Sequence, residues 1–156
     1  MQLATDLLAF SNSSSIRTYG LNGTAWTLIG KPIGGDAVRL SDNKRIAVRL
    51  GGVVKAYDLV GGNWTHVGSD IQGSIAPETI SISGDGSTIA ISETTVTERY
   101  QVTERYQCQV YRFDGNDWSQ FGKDIIHIDY FGPSAGSTFT FDGNQVDLGF
   151  NTIFGA

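Results

Sequence analysis

Apolar and polar residues alternate along this chain in short runs, broken at regular intervals by glycine-rich turns. Segments 37–49 (AVRLSDNKRIAVR), 79–92 (TISISGDGSTIAIS) and 137–150 (STFTFDGNQVDLGF) share one design. Each alternates, passes through two to four turn residues, and alternates again, which predicts a β-hairpin. Asp85-Gly86 and Asp142-Gly143 favour the positive-φ turns that close tight hairpins. Segment 1–11 fits the same template with a shorter turn. A second hairpin follows each of the first three: IRTYGLNGTAWTLIG, VKAYDLVGGNWTHVG and QVYRFDGNDWSQFG. No segment carries a 3.6-residue apolar period, so the pattern predicts an all-β chain of four-stranded antiparallel meanders.

The second hairpins carry a spaced quartet. Tyr precedes Trp by seven residues in Tyr19/Trp26, Tyr57/Trp64 and Tyr111/Trp118. Gly follows Trp by four, at Gly30, Gly68 and Gly122, and Ile follows Gly by three, at Ile33, Ile71 and Ile125. A quartet repeated three times marks one supersecondary unit copied in tandem. One four-stranded meander buries little alone, so neighbouring units must stack to cover their apolar faces. The recurring Trp is the natural stacking residue, and all three are expected in equivalent, largely buried positions. The chain reads as one repeat domain, 1–156, with units near 1–35, 36–74 and 75–128 and a partial unit over 129–156.

Four short strands per unit with aromatic and glycine punctuation describe a β-propeller blade. The run x-V-x-V-Y…G-x-x-W-x-Q-x-G-x-D-I followed by S-x-S-x-D-G-S-x-I-A-I resembles FG-GAP-type propeller repeats, related to those of the integrin α head. Tyr130-Phe131-Gly132 precedes the fourth strand-one segment, where such repeats carry their Phe-Gly. The resemblance implies blades around a ring and a role in binding. The Phe-Gly is missing before the other units, which have Gly34-Gly35 and Ala76-Pro77. The D-x-D-x-D-G calcium loop of the integrin repeats is missing too. Its equivalents, Ser41-Asp42-Asn43-Lys44 and Gly84-Asp85-Gly86-Ser87, hold one carboxylate each, where calcium takes six to eight oxygens. No metal and no cofactor is expected.

Three and a half units leave open sheet edges and uncovered faces, which invite association. A protein partner or a second copy of the chain is therefore expected. The one irregularity lies between Trp64 and Trp118, which are 54 residues apart where Trp26 and Trp64 are 38. The extra length holds a duplication, Thr97-Glu98-Arg99-Tyr100-Gln101 and Thr103-Glu104-Arg105-Tyr106-Gln107. Its period of six is even, so both copies present the same faces in an extended strand. A long arm over 93–107 is expected, with Arg99, Tyr100, Arg105 and Tyr106 as contact residues. The connector 126–137 lies on the same side of the units and offers His127, Asp129, Tyr130 and Phe131.

Composition closes several doors. With 17% charged residues and a net charge of −5, the surface has no electrostatic reason to bind nucleic acid. No apolar run is long enough to cross a bilayer, so no membrane insertion is expected. The single Cys108 excludes an intrachain disulfide. Residues 1–10 lack a basic start and a cleavable apolar core, so no signal peptide is read there, and no compartment is assigned. His66 and His127 are the only histidines, and they assemble with no Ser or Asp into a known catalytic order. Asp58, Asp70, Asp85, Asp114 and Asp124 sit at repeated turn or strand-edge positions, the pattern of turn chemistry. The chain reads as a non-enzymatic structural or interaction protein. Its alternative is a carbohydrate-binding, lectin-like propeller, which repeat-equivalent aromatic-plus-acid pockets between blades would mark.

Overall fold

A computed structural model describes residues 2–4, 6–72, 78–98, 102–129, 138–141 and 146–149, with side chains at 6–72, 78–95 and 104–128. All of its regular structure is antiparallel β. Sheet one holds β1 (Gln2–Ala4), β2 (Leu7–Ser11), β3 (Ser15–Asn22) and β4 (Ala25–Gly34), in that order. Sheet two holds β5 (Ala37–Leu40), β6 (Arg45–Leu50), β7 (Val53–Val60) and β8 (Asn63–Ile71). Sheet three holds β9 (Thr79–Ile82), β10 (Thr88–Glu98), β11 (Val102–Phe113) and β12 (Trp118–Gln120), with β13 (Ile125–Asp129) also paired to β11. A two-stranded sheet of β14 (Thr138–Phe141) and β15 (Val146–Gly149) follows. The predicted four-strand meanders and the final hairpin are therefore present. The sheets of the described residues do not close into a ring.

The sheets stack in chain order. β5 touches β1 and β2, and β9 touches β5 and β6. On the far side β8 touches β4, and β12 touches β8. Sheet two is buried on both faces because alternate residues point opposite ways. Ile46 and Val48 join Ala9, Ile16 and Val38 against sheet one. Ala47, Val54, Ala56 and Ile71 join Ile80, Ile89, Ile91, Tyr111 and Trp118 against sheet three. The turns between first and second strands also interlock. Asp42 donates its backbone N–H to the Gly84 carbonyl at 2.8 Å, and Asn43 Nδ2 donates to the Asp85 carbonyl at 2.6 Å. Arg45 makes a two-pronged pair with Asp58 at 2.6 and 2.8 Å and reaches across to the Gly86 carbonyl at 3.0 Å. Two buried hydroxyls, Ser41 and Ser83, accept the N–H of Arg45 and Thr88 and so hold these turns shut.

The repeated glycine has a double duty. Gly30 and Gly68 have φ of +65° and +68° and sit where the third and fourth strands of their sheets slip register, a β-bulge. In sheet three the same place, at Gly122 with φ of +83°, divides the fourth strand into β12 and β13. The same glycines also receive the indole of the following unit. A Cβ built on Gly30 would stand 3.1 Å from Trp64 Cδ1, and one on Gly68 would stand 2.7 Å from Trp118 Cδ1. Trp118 Nε1 donates to the Val67 carbonyl at 3.0 Å. Trp64 Nε1 donates at 2.8 Å to Thr18 Oγ1, which in turn donates at 2.8 Å to the Ile29 carbonyl, the equivalent of Val67. Each Trp thus points back onto the sheet before it.

This corrects the expectation of three equally buried tryptophans. Trp118 is 8% exposed, Trp64 is half-buried, and Trp26 is 43% exposed. The reason is positional. Trp26 belongs to sheet one, and among the described residues no further sheet stands on the side opposite sheet two.

Candidate functional site

The repeat places four side chains together on the third and fourth strands, facing the preceding sheet. In sheet two they are Lys55, Tyr57, His66 and Asp70. Lys55 Nζ lies 2.8 Å from Asp70 Oδ2, and His66 Nε2 lies 3.1 Å from Asp70 Oδ1. The His66 ring meets Tyr57 edge-on at 5.4 Å. The hydrogen bond to Asp70 raises the Lys55 ammonium above its ordinary value, and burial raises the Tyr57 phenol.

Sheet three repeats the arrangement with Gln109, Tyr111, Gln120 and Asp124. Asp124 accepts from Gln120 Nε2 at 2.6 Å, Gln107 Nε2 at 2.6 Å and Gln109 Nε2 at 3.0 Å. These amide donors, Gln109 foremost, hold the Asp124 carboxyl below the usual carboxylate range. Burial raises the Tyr111 phenol and, with Asp124 nearby, pushes the Cys108 thiol up to about 11. A thiol so buried and so basic is inert. In sheet one the same positions hold Arg17, Tyr19, Leu28 and Pro32, and the acid is lost. There Phe10 stacks on Tyr19 at 5.5 Å instead.

Asp70 and Asp124 are therefore not turn residues, as their repeated placement suggested. They bridge two strands across the bulge. Asp85 and Asp114 do follow turn chemistry, accepting from Ser87 N and from Asn116 N and Asp117 N. Asp58 is the partner of Arg45. These bridges were readable in principle, because each member recurs at a constant offset: two before Tyr, two after Trp and two after Gly.

The arm exists as a ribbon. β10 and β11 pair from Thr88↔Arg112 out to Glu98↔Val102, well past β9, whose pairing with β10 stops at Thr79↔Ser92. β13 lies along β11 from Cys108↔Ile125 to Glu104↔Asp129. This brings Arg105, Tyr106, His127 and Asp129 to one end of sheet three. Tyr106 is a correction: it is only 3% exposed, so its ring is not offered to a partner. β13 supplies the cover, with His127 directly opposite Tyr106 and their rings 6.1 Å apart, and the Tyr106 hydroxyl donates to Glu104. Arg105 and His127 are half-buried. The backbone of Asp129 is placed but its side chain is not among the described ones, and Arg99, Tyr100, Tyr130 and Phe131 lie outside the described residues.

Among the described residues no three His, Cys, Asp or Glu side chains come together to hold a metal ion. Both oxygens of Asp70 and of Asp124 are engaged by side chains of their own sheet. The repeated clusters are thus struts across a bulge, with their acceptors turned inward. No family model, curated protein or solved structure matches the chain.

Nine large apolar residues are exposed among the described ones; Leu50 (49%) and Val60 (61%) lie on sheet two and the others on sheets one and three. On sheet one these are Leu21 (41%), Trp26 and Leu28 (53%). On sheet three they are Phe121 (53%) and Ile125 (37%), whose counterparts in sheet two, Val67 and Ile71, pack into the core. Ile126 and Ile128 of β13 are exposed as well.

Proposed function

We propose that the chain is a non-enzymatic binding scaffold of propeller-type blades, of the kind its resemblance to FG-GAP repeats implies, and that it works within a larger assembly. One observation carries this reading. Trp118 and Ile71, buried between sheets two and three, have exposed counterparts in Trp26 of sheet one and Ile125 of sheet three. Apolar surface of that kind, in a chain of ordinary composition, is the mark of an interaction face. The order of the contacts supports blades: first strands meet first strands and fourth strands meet fourth strands. The right-handed twist of each sheet makes such stacks turn about an axis.

The carbohydrate-binding alternative draws on the repeated Tyr-plus-acid clusters at Tyr57/Asp70 and Tyr111/Asp124. The engagement of both carboxylate oxygens favours the scaffold over it. Light scattering decides the scaffold reading: a molar mass above that of one chain supports it, and a single-chain mass of 16.8 kDa at all concentrations contradicts it. Saturable binding of a neutral sugar, lost in both Asp70→Ala and Asp124→Ala, would instead support the lectin.

A further inference from the structure

An open sheet edge and a self-complementary sequence coincide at β13. The strand reads Ile125-Ile126-His127-Ile128-Asp129. Ile125 is the repeat counterpart of Ile71, where β8 ends, so residues 126–129 run past that end along the lengthened β11. The direction of their backbone groups follows from β11. Phe121 donates its N–H to the Val110 carbonyl at 2.7 Å, so Val110 bonds towards the fourth strand. By alternation Cys108, Tyr106 and Glu104 bond the same way, and they stand opposite Ile125, His127 and Asp129. Ile126 and Ile128 therefore aim their N–H and C=O groups at the other edge of β13, where no strand pairs among the described residues. Their side chains are exposed, at 49% and 39%. Edge strands are ordinarily blunted by charge or proline. β4 carries Lys31 and Pro32 in this way, whereas 125–128 is Ile-Ile-His-Ile.

We propose that a second copy of this chain adds its own β13 to that edge, antiparallel and about a two-fold axis through His127. This deepens the scaffold reading and rests on it. The occupant is a second copy because the segment reads Ile-His-Ile in both directions around His127. In that register Ile126 faces the partner's Ile128 and Ile128 faces the partner's Ile126. The outward backbone groups of each are then met, and apolar side chains oppose apolar side chains. Asp129 faces the partner's Ile125, so no acid stands opposite an acid. A slip of one residue, with Ile126 facing the partner's His127, would mismatch the bonding groups and set Asp124 against the partner's Asp129. The pairing is isologous and closes at two chains. It uses an interior strand, on the opposite edge of sheet three from β9, which β14 touches.

The test uses the full chain. At about 100 μM, where a micromolar contact is largely saturated, the native chain should weigh about twice 16.8 kDa by light scattering. Ile128→Pro removes an N–H that points at the open edge and none that bonds β11. Ile126→Lys changes an exposed side chain and sets a charge against the partner's Ile128. Each variant should dissociate at least tenfold more readily while keeping the native circular dichroism. If Ile128→Pro folds poorly, Ile126→Lys alone decides. The register is tested by cross-linking. His127 would meet its own copy in a non-hydrogen-bonded pair, with Cα atoms about 4.5 Å apart, within reach of a disulfide. With oxidised glutathione His127→Cys should form a covalent two-chain species, and Ile126→Cys at least tenfold less. Doubling of mass that survives Ile126→Lys, or equal cross-linking at 126 and 127, overturns this contact and leaves the scaffold reading standing. A native chain that stays at 16.8 kDa at all concentrations overturns both.

Discussion

At Gly68 a single added methyl group meets two separate penalties. Its φ of +68° is a left-handed conformation that costs an L side chain about 1–2 kcal/mol. Its Cβ would also press to 2.7 Å from Trp118 Cδ1, an overpacking of about 1–3 kcal/mol. Gly122, with φ of +83° and open space, meets only the first penalty. Urea unfolding should show Gly68→Ala losing about 2–5 kcal/mol and Gly122→Ala about 1–2 kcal/mol. Equal losses at the two sites would mean that the indole contact carries no weight.

Beside that seat, Asp117 ties two sheets together. It accepts from Ser69 N at 2.6 Å and Ser69 Oγ at 3.0 Å. Chiefly the Ser69 N–H, then that of Trp118, lowers its carboxyl in the folded chain. A lowered folded value stabilises the fold above the ordinary carboxylate range and ceases to do so as pH falls through it. Asp85 and Asp114, lowered by bonds to Ser83 and to Asp117 N, act in the same direction. The urea midpoint should therefore fall as pH drops from about 5 towards 2. In Asp117→Asn that fall should be shallower. An identical pH slope in the variant would remove the Ser69 latch from the account.

Among the elements, the hairpins were the part most open to reading from sequence. Alternation placed β5–β6, and alternation with Asp-Gly turns placed β9–β10 and β14–β15, because strand period and turn chemistry are local properties. The Tyr–Trp hairpins followed for the same reason. The break between β12 and β13 was not legible, since the Trp118-to-Ile125 stretch repeats the spacing of the unbroken β8. The burial of Tyr106 followed from β13 lying beside it, a tertiary pairing that no alternation in β11 reports. The register of the arm gives a prediction at this scale. Deleting 97–102 removes one copy of the duplication at the far end of the β10–β11 ribbon, beyond the Tyr106–His127 pair and without flipping either face. Its thermal midpoint should stay within a few degrees of the native chain, since roughly 1 kcal/mol moves a domain of this size by about that much. Collapse of the fold would show that the ribbon tip is structural.

At the scale of the whole molecule, the repeat spacing disclosed three equivalent units but not their inequality. Trp26, Trp64 and Trp118 have one sequence context and three burials, because burial depends on which sheet comes before. The ends of a stack are defined by neighbours, not by local pattern, and so the exposed Leu21, Trp26 and Phe121 were invisible until the sheets were placed. The inward turn of Asp70 and Asp124 was equally hidden, since it needs the bulge that brings the fourth strand back under the third.

The stack's direction and its open end are read together by the three indole N–H groups in one hydrogen-exchange spectrum of the native chain, with Trp26 assigned by Trp26→Phe. Trp64 and Trp118 donate to Thr18 and to the Val67 carbonyl, while the Trp26 indole has no partner among the described residues. Two indole protons should be protected and that of Trp26 should exchange freely. Three indoles protected alike, or free exchange at Trp64 or Trp118, would contradict the account.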